Sequence, residues 1–353
     1  MAGRARWLRP SINWLIVFIP ASLIAELIRQ PVLTFITAAL AIIPLAGLLG
    51  RATDQLAICI GPRLGGLLNA TFGNLTELIV GVLLIAAGDF EVVKASLIGS
   101  IIGNLLLVLG VSLFVGGLGR DEQAFSARAA GVHTASLVLA IAGLGVPALL
   151  MAASPSLSTG ARQVVSVGVA GTLIVLYAAA LVFTQFTNAH LFRTPASSER
   201  PEWSRRFASS VLLGAALLIG LESELLVSAL NPALQSLKIS PIFVGLILIP
   251  VIGNAAEHAS AVFFAIRDKL DVTLEIAVGS STQVALFIAP AMVFISLLIG
   301  RPMDFVFTGF EISAVLIATL LIAVISRDGH SNWLEGLQLA GVYAIIALAA
   351  FFL

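Results

Sequence analysis

Two short segments hold the acidic groups that lie deepest in the apolar parts of this chain. Gly73-Asn74-Leu75-Thr76-Glu77 falls within an apolar run over 67–87, and Gly253-Asn254-Ala255-Ala256-Glu257-His258 falls within another over 241–266, 180 residues further on. A glutamate in mid-hydrocarbon costs about 2.5–3.5 kcal/mol on insertion scales, so it calls for a partner and marks a functional site. Two of them in the same G-N-x-x-E frame point to one shared site for a divalent cation. On a helix, residues three apart are neighbours, which puts Asn74 beside Glu77 and Asn254 beside Glu257. His258 stands at the edge of the second face. Ser100 with Asn104, four apart, and Ser280 with Gln283, three apart, likewise share a helix face in the runs that follow. Hard cations such as Ca²⁺ take about 6–8 oxygen ligands, and carboxylates, amides, hydroxyls and freed carbonyls supply that set.

The charge arithmetic suggests an exchange mechanism. Two ionised glutamates carry −2, which one divalent ion or two protons neutralise. Desolvation and mutual repulsion raise the proton affinity of such a pair once the metal leaves, so metal and protons compete for the same oxygens. His258 adds a group that titrates near neutral pH and is expected to relay or tune protons. Glu222 and Glu224 are secondary candidates for an access path. Lys94 and Glu275 read as solvated helix starts, Arg51 to Asp54 as a helix end, and Glu26 and Glu311 as interfacial.

The elements that must hold these groups are membrane helices. The chain has 353 residues, of which 59% are hydrophobic and 11% charged, with a mean hydropathy of +1.07. Soluble domains carry about 25% charged residues, so the fold class is an all-α polytopic membrane protein. The one cysteine, Cys59, excludes an internal disulfide and a thiolate metal cluster. No G-x-x-x-x-G-K-[S/T] loop is present, so no nucleotide is expected as a partner. No nucleic acid and no cofactor is expected either; the partners are the lipid bilayer and the transported ions.

Eleven runs are long enough to span a bilayer: 11–28, 31–50, 61–87, 92–118, 128–151, 163–186, 207–230, 241–266, 271–299, 304–326 and 332–353. The first reads as an uncleaved N-terminal helix (1–30). A five-helix repeat (31–186), a cytoplasmic linker (187–206) and a second five-helix repeat (207–353) follow. With the N-terminus inside, 14 of the 19 Lys and Arg residues fall on the inner side, a clear positive-inside bias. A five-span unit enters the membrane the opposite way in its second copy, the inverted-repeat layout of secondary transporters. Gly61-Pro62, Gly65-Gly66, Pro241, Gly245 and Pro250 precede the two motifs and are expected to break helices there, Pro250 freeing the carbonyl of Leu246.

The run from Gly65 to Glu77, Gly253 to His258, Gly99 to Asn104 and Gly279 to Leu286 together resemble the Ca²⁺/H⁺ antiporter (cation/proton exchanger) family of the Ca²⁺/cation antiporter superfamily. The resemblance covers nearly the whole chain. It implies a five-plus-five inverted fold with Glu77 and Glu257 as alternating Ca²⁺ and H⁺ sites. Asn74, Asn254, Gln283 and Ser280 would assist ligation, His258 would tune Glu257, and spans two and seven would slide past this core. The related Na⁺/Ca²⁺ exchangers have a Pro-Glu pair where this chain has Asn-x-x-Glu, so their sodium sites are not expected. The linker lacks the acidic segment of many relatives. The expected function is therefore export of cytoplasmic Ca²⁺ in exchange for H⁺, in a transporter and not an enzyme, at a prokaryotic cell membrane or, alternatively, an organelle. An antiporter for Na⁺ or Mn²⁺ on the same scaffold is the main competing reading, and a passive channel a weaker one.

Overall fold

A computed structural model describes residues 12–188 and 201–353. The basic N-terminal segment and most of the linker between the two halves lie outside the described residues. The helices are α1 (Trp14–Leu27), α2 (Pro31–Ile60), α3 (Pro62–Phe72), α4 (Leu75–Ala87), α5 (Phe90–Gly117), α6 (Ala127–Ala153) and α7 (Thr159–Val182). The second half contains α8 (Arg205–Leu237), α9 (Pro241–Gly253), α10 (Ala255–Ile266), α11 (Leu270–Leu298), α12 (Gly309–Ile325) and α13 (Trp333–Phe351). Helix starts are set by local chemistry. Ser126, Ser158, Ser204 and Ser240 each accept a hydrogen bond from the backbone three residues on, and Thr308 with Glu311 forms a reciprocal capping box.

Every apolar run read from the sequence is helical, but not every one is a full-length span. Among the described residues seven single helices are long and apolar enough to cross a membrane, and the α9–α10 pair, bent by 62°, makes an eighth. Helices α1, α4 and α12 are shorter, and α4 continues α3 across a break. Helix α2 runs ten residues past its expected end at 50, because nothing stops it before Gly61. Gly61 turns the chain at φ 90°, which glycine adopts without strain, and Pro62 starts α3. Arg51 and Asp54 therefore lie within α2, whose 30 residues span about 45 Å.

Contacts between loops separate the two ends of the bundle. At one end Arg120 donates to the carbonyls of Gly116 and Ile266 and lies 3.9 Å from Asp268. Gln123–Ala124 pairs antiparallel with His330–Ser331 (β1, β2) at this end, and Arg51 meets Glu202 at 2.7 Å. At the other end Lys94 bonds Asp304 at 3.1 Å and the carbonyl of Val306. Asn231 donates to Asp89, also at that end. Lys94 is thus an ion-pair partner, not a solvated helix start. Helices α2 and α8 form the most extensive helix pair, with α1 packed along both. Outward faces carry exposed side chains such as Leu139, Leu217 and Leu320, as acyl-chain contact requires.

Glu222 lies within the α1–α2–α8 bundle. It is fully buried and accepts a hydrogen bond from Ser22 of α1 at 3.0 Å; its Oε2 has no partner among the described residues. An unsatisfied buried oxygen of this kind costs about 1–3 kcal/mol. Glu222→Met is therefore expected to raise the melting temperature in detergent while leaving transport intact. Lost transport would return Glu222 to the site.

Candidate cation site

The two motifs are helix breaks. Helix α3 stops at Phe72, α4 starts at Leu75, and Asn74 between them has φ −100° and ψ 27°. Helix α9 stops at Gly253, α10 starts at Ala255, and Asn254 has φ −98° and ψ 7°. Each asparagine is the residue preceding a half-helix, and each glutamate sits in that half-helix's first turn. Each pair thus stands at a helix start with its asparagine outside the helix, and not on a mid-helix face as expected. The partial positive charge of a helix N-terminus favours a carboxylate there. Pro250 does not make the break. It sits in the first turn of the segment Ile249–Gly253, following a π-turn over Val244–Leu248. Gly65 lies inside α3, and its role is close packing: a Cβ there would stand 2.6 Å from the carbonyl oxygen of Ala57.

An asparagine in such a position normally caps its helix. Neither Asn74 nor Asn254 does so; both side chains cross to the other half. Asn74 Nδ2 donates to Gln283 at 2.9 Å, and Ser280 Oγ donates to Asn74 Oδ1 at 3.1 Å. Asn254 Nδ2 donates to Ser100 Oγ at 3.4 Å and to the Pro250 carbonyl at 3.1 Å. Because 254 is 74 plus 180 and 280 is 100 plus 180, the Asn74–Ser280 and Asn254–Ser100 contacts are mates under one offset. Ser280 Oγ also reaches Glu257 Oε2 at 3.3 Å and accepts from Asn104 at 3.3 Å.

The two carboxyls come together through this lattice. Glu257 lies within the electrostatic reach of Glu77 and, more weakly, of Asp54 on α2. Asn254 is the polar side-chain neighbour of Glu77, and Glu77 Oε1 is buried with no hydrogen-bond partner among the described residues. A Cβ on Gly73 would stand 4.0 Å from Glu257 Oε1, so the first motif's glycine abuts the second motif's acid. Among the described residues no three His, Cys, Asp or Glu side chains cluster. The donor set is two carboxylates plus amide and hydroxyl oxygens, which suits a hard cation better than zinc. His258 lies one residue beyond Glu257, its Nε2 buried without a partner among the described residues.

Two features of the site, the π-turns and the Glu275–His133 pair, have no counterpart in the sequence reading. Helix α11 carries π-turns at Glu275–Gly279 and Val284–Ile288, which bracket Ser280–Gln283, and α5 has another at Gly103–Val108. Such bulges recur at functional sites. Glu275, expected as a solvated helix start, pairs with His133 of α6 at 2.9 Å. Glu224 lines a cavity of about 390 Å³ between α4 and α8, with Leu78, Ile79, Val82, Leu83 and Gly220. Glu311 is buried in its capping box, while Glu26 is exposed.

Packing around the site is asymmetric. Towards the Lys94 end, α9 lies against α5. A Cβ on Gly245 would stand 2.6 Å from that of Ala95, and one on Gly99 would run into the Leu246 carbonyl and, at 2.6 Å, Pro250. The freed Leu246 carbonyl thus faces Gly99. The offset mate of this contact would set α3 against α11. Instead α3 packs mainly on α2, and Leu64, Leu67 and Asn69 are exposed. Helices α5 and α9 thus close against each other towards the Lys94 end, whereas α3 and α11 do not pack comparably towards the Arg120 end.

Comparison with known proteins agrees with this architecture. The family described as sodium/calcium exchanger protein matches residues 30–186 and 207–352. A Ca²⁺/H⁺ antiporter of Synechocystis sp. is 44% identical, with 96% of each chain covered. The solved structure of native YfkE superposes with a TM-score of 0.86 at 37% identity, over 97% of this chain and 100% of that one. The H⁺/Ca²⁺ exchanger CAX, at 15% identity, shares the fold with a TM-score of 0.73, over 97% of this chain and 91% of that one. Composition, helical architecture and these matches together identify the chain as an integral membrane protein of the sodium/calcium exchanger family.

Proposed function

We propose that this protein exchanges Ca²⁺ for H⁺ across a prokaryotic cell membrane, with both ions using Glu77 and Glu257 in turn. The observation that carries this reading is the pair of crossed Asn–Ser contacts, Asn74 to Ser280 and Asn254 to Ser100, which draws one acid from each half into a common oxygen-rich site. Support for Ca²⁺ and H⁺ as the transported ions comes from relatives that carry those names. Asn74, Asn254, Ser280 and Gln283 complete the coordination of the cation, and Ser100 and Asn104 hold those ligands. The family match divides into two blocks close to the bounds of the two five-helix halves, which supports an inverted repeat.

The Arg120 end faces the cytoplasm on this reading, following the Lys and Arg bias. Access alternates when α3 closes on α11 and α9 parts from α5, with the α2–α8 pair sliding past the site. The protein is a transporter and performs no chemical conversion. Everted vesicles test the reading: adding Ca²⁺ dissipates an imposed proton gradient, whereas Mn²⁺ and Na⁺, run side by side, measure selectivity. A gradient left intact by Ca²⁺ sinks the proposal.

His258 tunes the proton affinity of Glu257 in this scheme. His258→Ala is expected to move the pH profile of exchange while retaining the maximal rate within a few-fold. An unmoved profile would leave the imidazole a packing role only.

A further inference from the structure

The asymmetry of the packing puts one acid where the closed contact has none. In the sealed half, Ala95 of α5 lies against Gly245 of α9. Under the 180-residue offset these positions become Glu275 of α11 and Gly65 of α3. Glu275 therefore borders the gap between α3 and α11 that leads from the Arg120 end. Its side chain is 61% exposed and stands on the π-turn immediately before Ser280. That π-turn stacks Glu275 and Gly279 on one face. Glu275 Oε1 occupies the space beside Gly279, 3.3 Å from where a Cβ would be, so the carboxylate folds along the helix towards the Ser280 turn. Five residues of rise put it about 7 Å from Ser280 along the axis.

His133 holds this acid from α6. Its Nε2 meets Glu275 Oε2 at 2.9 Å, and its backbone carbonyl accepts from Thr282 Oγ1 at 3.4 Å. One residue of α6 thus grips α11 on both sides of Ser280. Oε2 is engaged by His133, while Oε1 lies beside Gly279 of the same helix. An exposed acid part-way into an apolar bundle raises the local concentration of cations and speeds their arrival.

We propose that Glu275 is the residue that captures the cation on its way from the Arg120 end to the midplane glutamates, and that His133 is its positioning residue. The proposal rests on the exchange reading above, and its tests separate the two.

Accessibility is tested without transport. In a Cys59→Ser background, Glu275→Cys is expected to react with a membrane-impermeant thiol reagent applied from the Arg120 side and not from the Lys94 side. An unreactive cysteine, or one labelled from the Lys94 side alone, overturns the proposal whether or not the protein exchanges ions. Kinetics follow in vesicles of both orientations. Glu275→Gln is expected to raise the KM for Ca²⁺ about tenfold when Ca²⁺ is offered from the Arg120 side, with Vmax nearly unchanged. The KM from the Lys94 side stays at the wild-type value. Glu275→Asp restores most of the lost affinity, and His133→Gln gives a smaller rise on the same side. An unchanged KM, an equal rise from both sides, or a loss confined to Vmax overturns the role in capture. A wild-type protein that moves no Ca²⁺ sinks both the exchange reading and the capture role.

Discussion

Glu77→Gln and Glu257→Gln are each expected to abolish exchange while leaving a folded protein. Either substitution leaves one carboxylate to face a divalent ion, so a net positive charge must be buried among helices. Removing one partner from a buried, charge-balanced group costs about 3–5 kcal/mol. That corresponds to a loss of affinity of roughly 10²- to 10³-fold or more. Glutamine retains the shape of the side chain and needs no counter-charge, so thermal stability in detergent holds or rises. The measurement is the initial rate of Ca²⁺-driven proton movement in everted vesicles, alongside the melting temperature. Near-normal rates in either variant would remove that residue from the site. The crossed contacts make a finer point: Ser280 touches Glu257 directly, whereas Glu77 Oε1 is unpartnered. Glu77 Oε1 is therefore open to an incoming ion, while Asn254 stands at the same carboxyl.

The second large effect is expected at the seam between α5 and α9. Gly99 has no room for a side chain, since a Cβ would meet the Leu246 carbonyl and Pro250. Those neighbours are backbone and a ring, which cannot swing aside. Overpacking of this sort costs about 1–3 kcal/mol, and Gly99→Val places the whole cost on the conformation sealed towards the Lys94 end. The balance between sealed and open forms then shifts by about 5- to 150-fold. A cysteine at Val92, buried beside this seam, reports it in a Cys59→Ser background. Labelling from the Lys94 side should accelerate in the Gly99→Val protein, and Ca²⁺ uptake should slow because closure there is part of the cycle. Unchanged labelling would show that α5 and α9 do not form the seal.

Much of this was legible in the sequence because a membrane imposes strong local rules. Apolar length located the helical stretches, but, apart from the turn at Gly61-Pro62, the breaks expected at the Gly and Pro residues ahead of the motifs fall at Asn74 and Asn254 themselves, where a poor helix former precedes a carboxylate that favours a helix start. The limits of that reading are equally physical. The apolar run ends at Arg51, Asp54 and Gln55, but helix α2 continues because no helix breaker lies between Arg51 and Gly61. Pro250 was read as the breaking residue, but the preceding π-turn absorbs it and the chain bends at Asn254. The π-turns in α11 have no signature in composition. Glu275 was misplaced as a solvated start because its partner, His133, lies 142 residues away on another helix. Long-range pairings of single polar residues cannot be read from one chain's local pattern.

The two ends of the bundle are fastened by different means. At the Arg120 end, the loop before α6 is stitched to the loop before α13 by backbone hydrogen bonds of the small β1–β2 ladder. At the Lys94 end, α5 is tied to the loop before α12 by an ion pair whose side chains are 20% and 30% exposed. Mobile ions weaken a partly exposed pair of charges but hardly affect amide-to-carbonyl bonds. More exposed charge pairs, Arg51–Glu202 and Arg120–Asp268, lie at the Arg120 end, so rising ionic strength loosens ion pairs at both ends and leaves the β1–β2 ladder as the tie that salt does not reach.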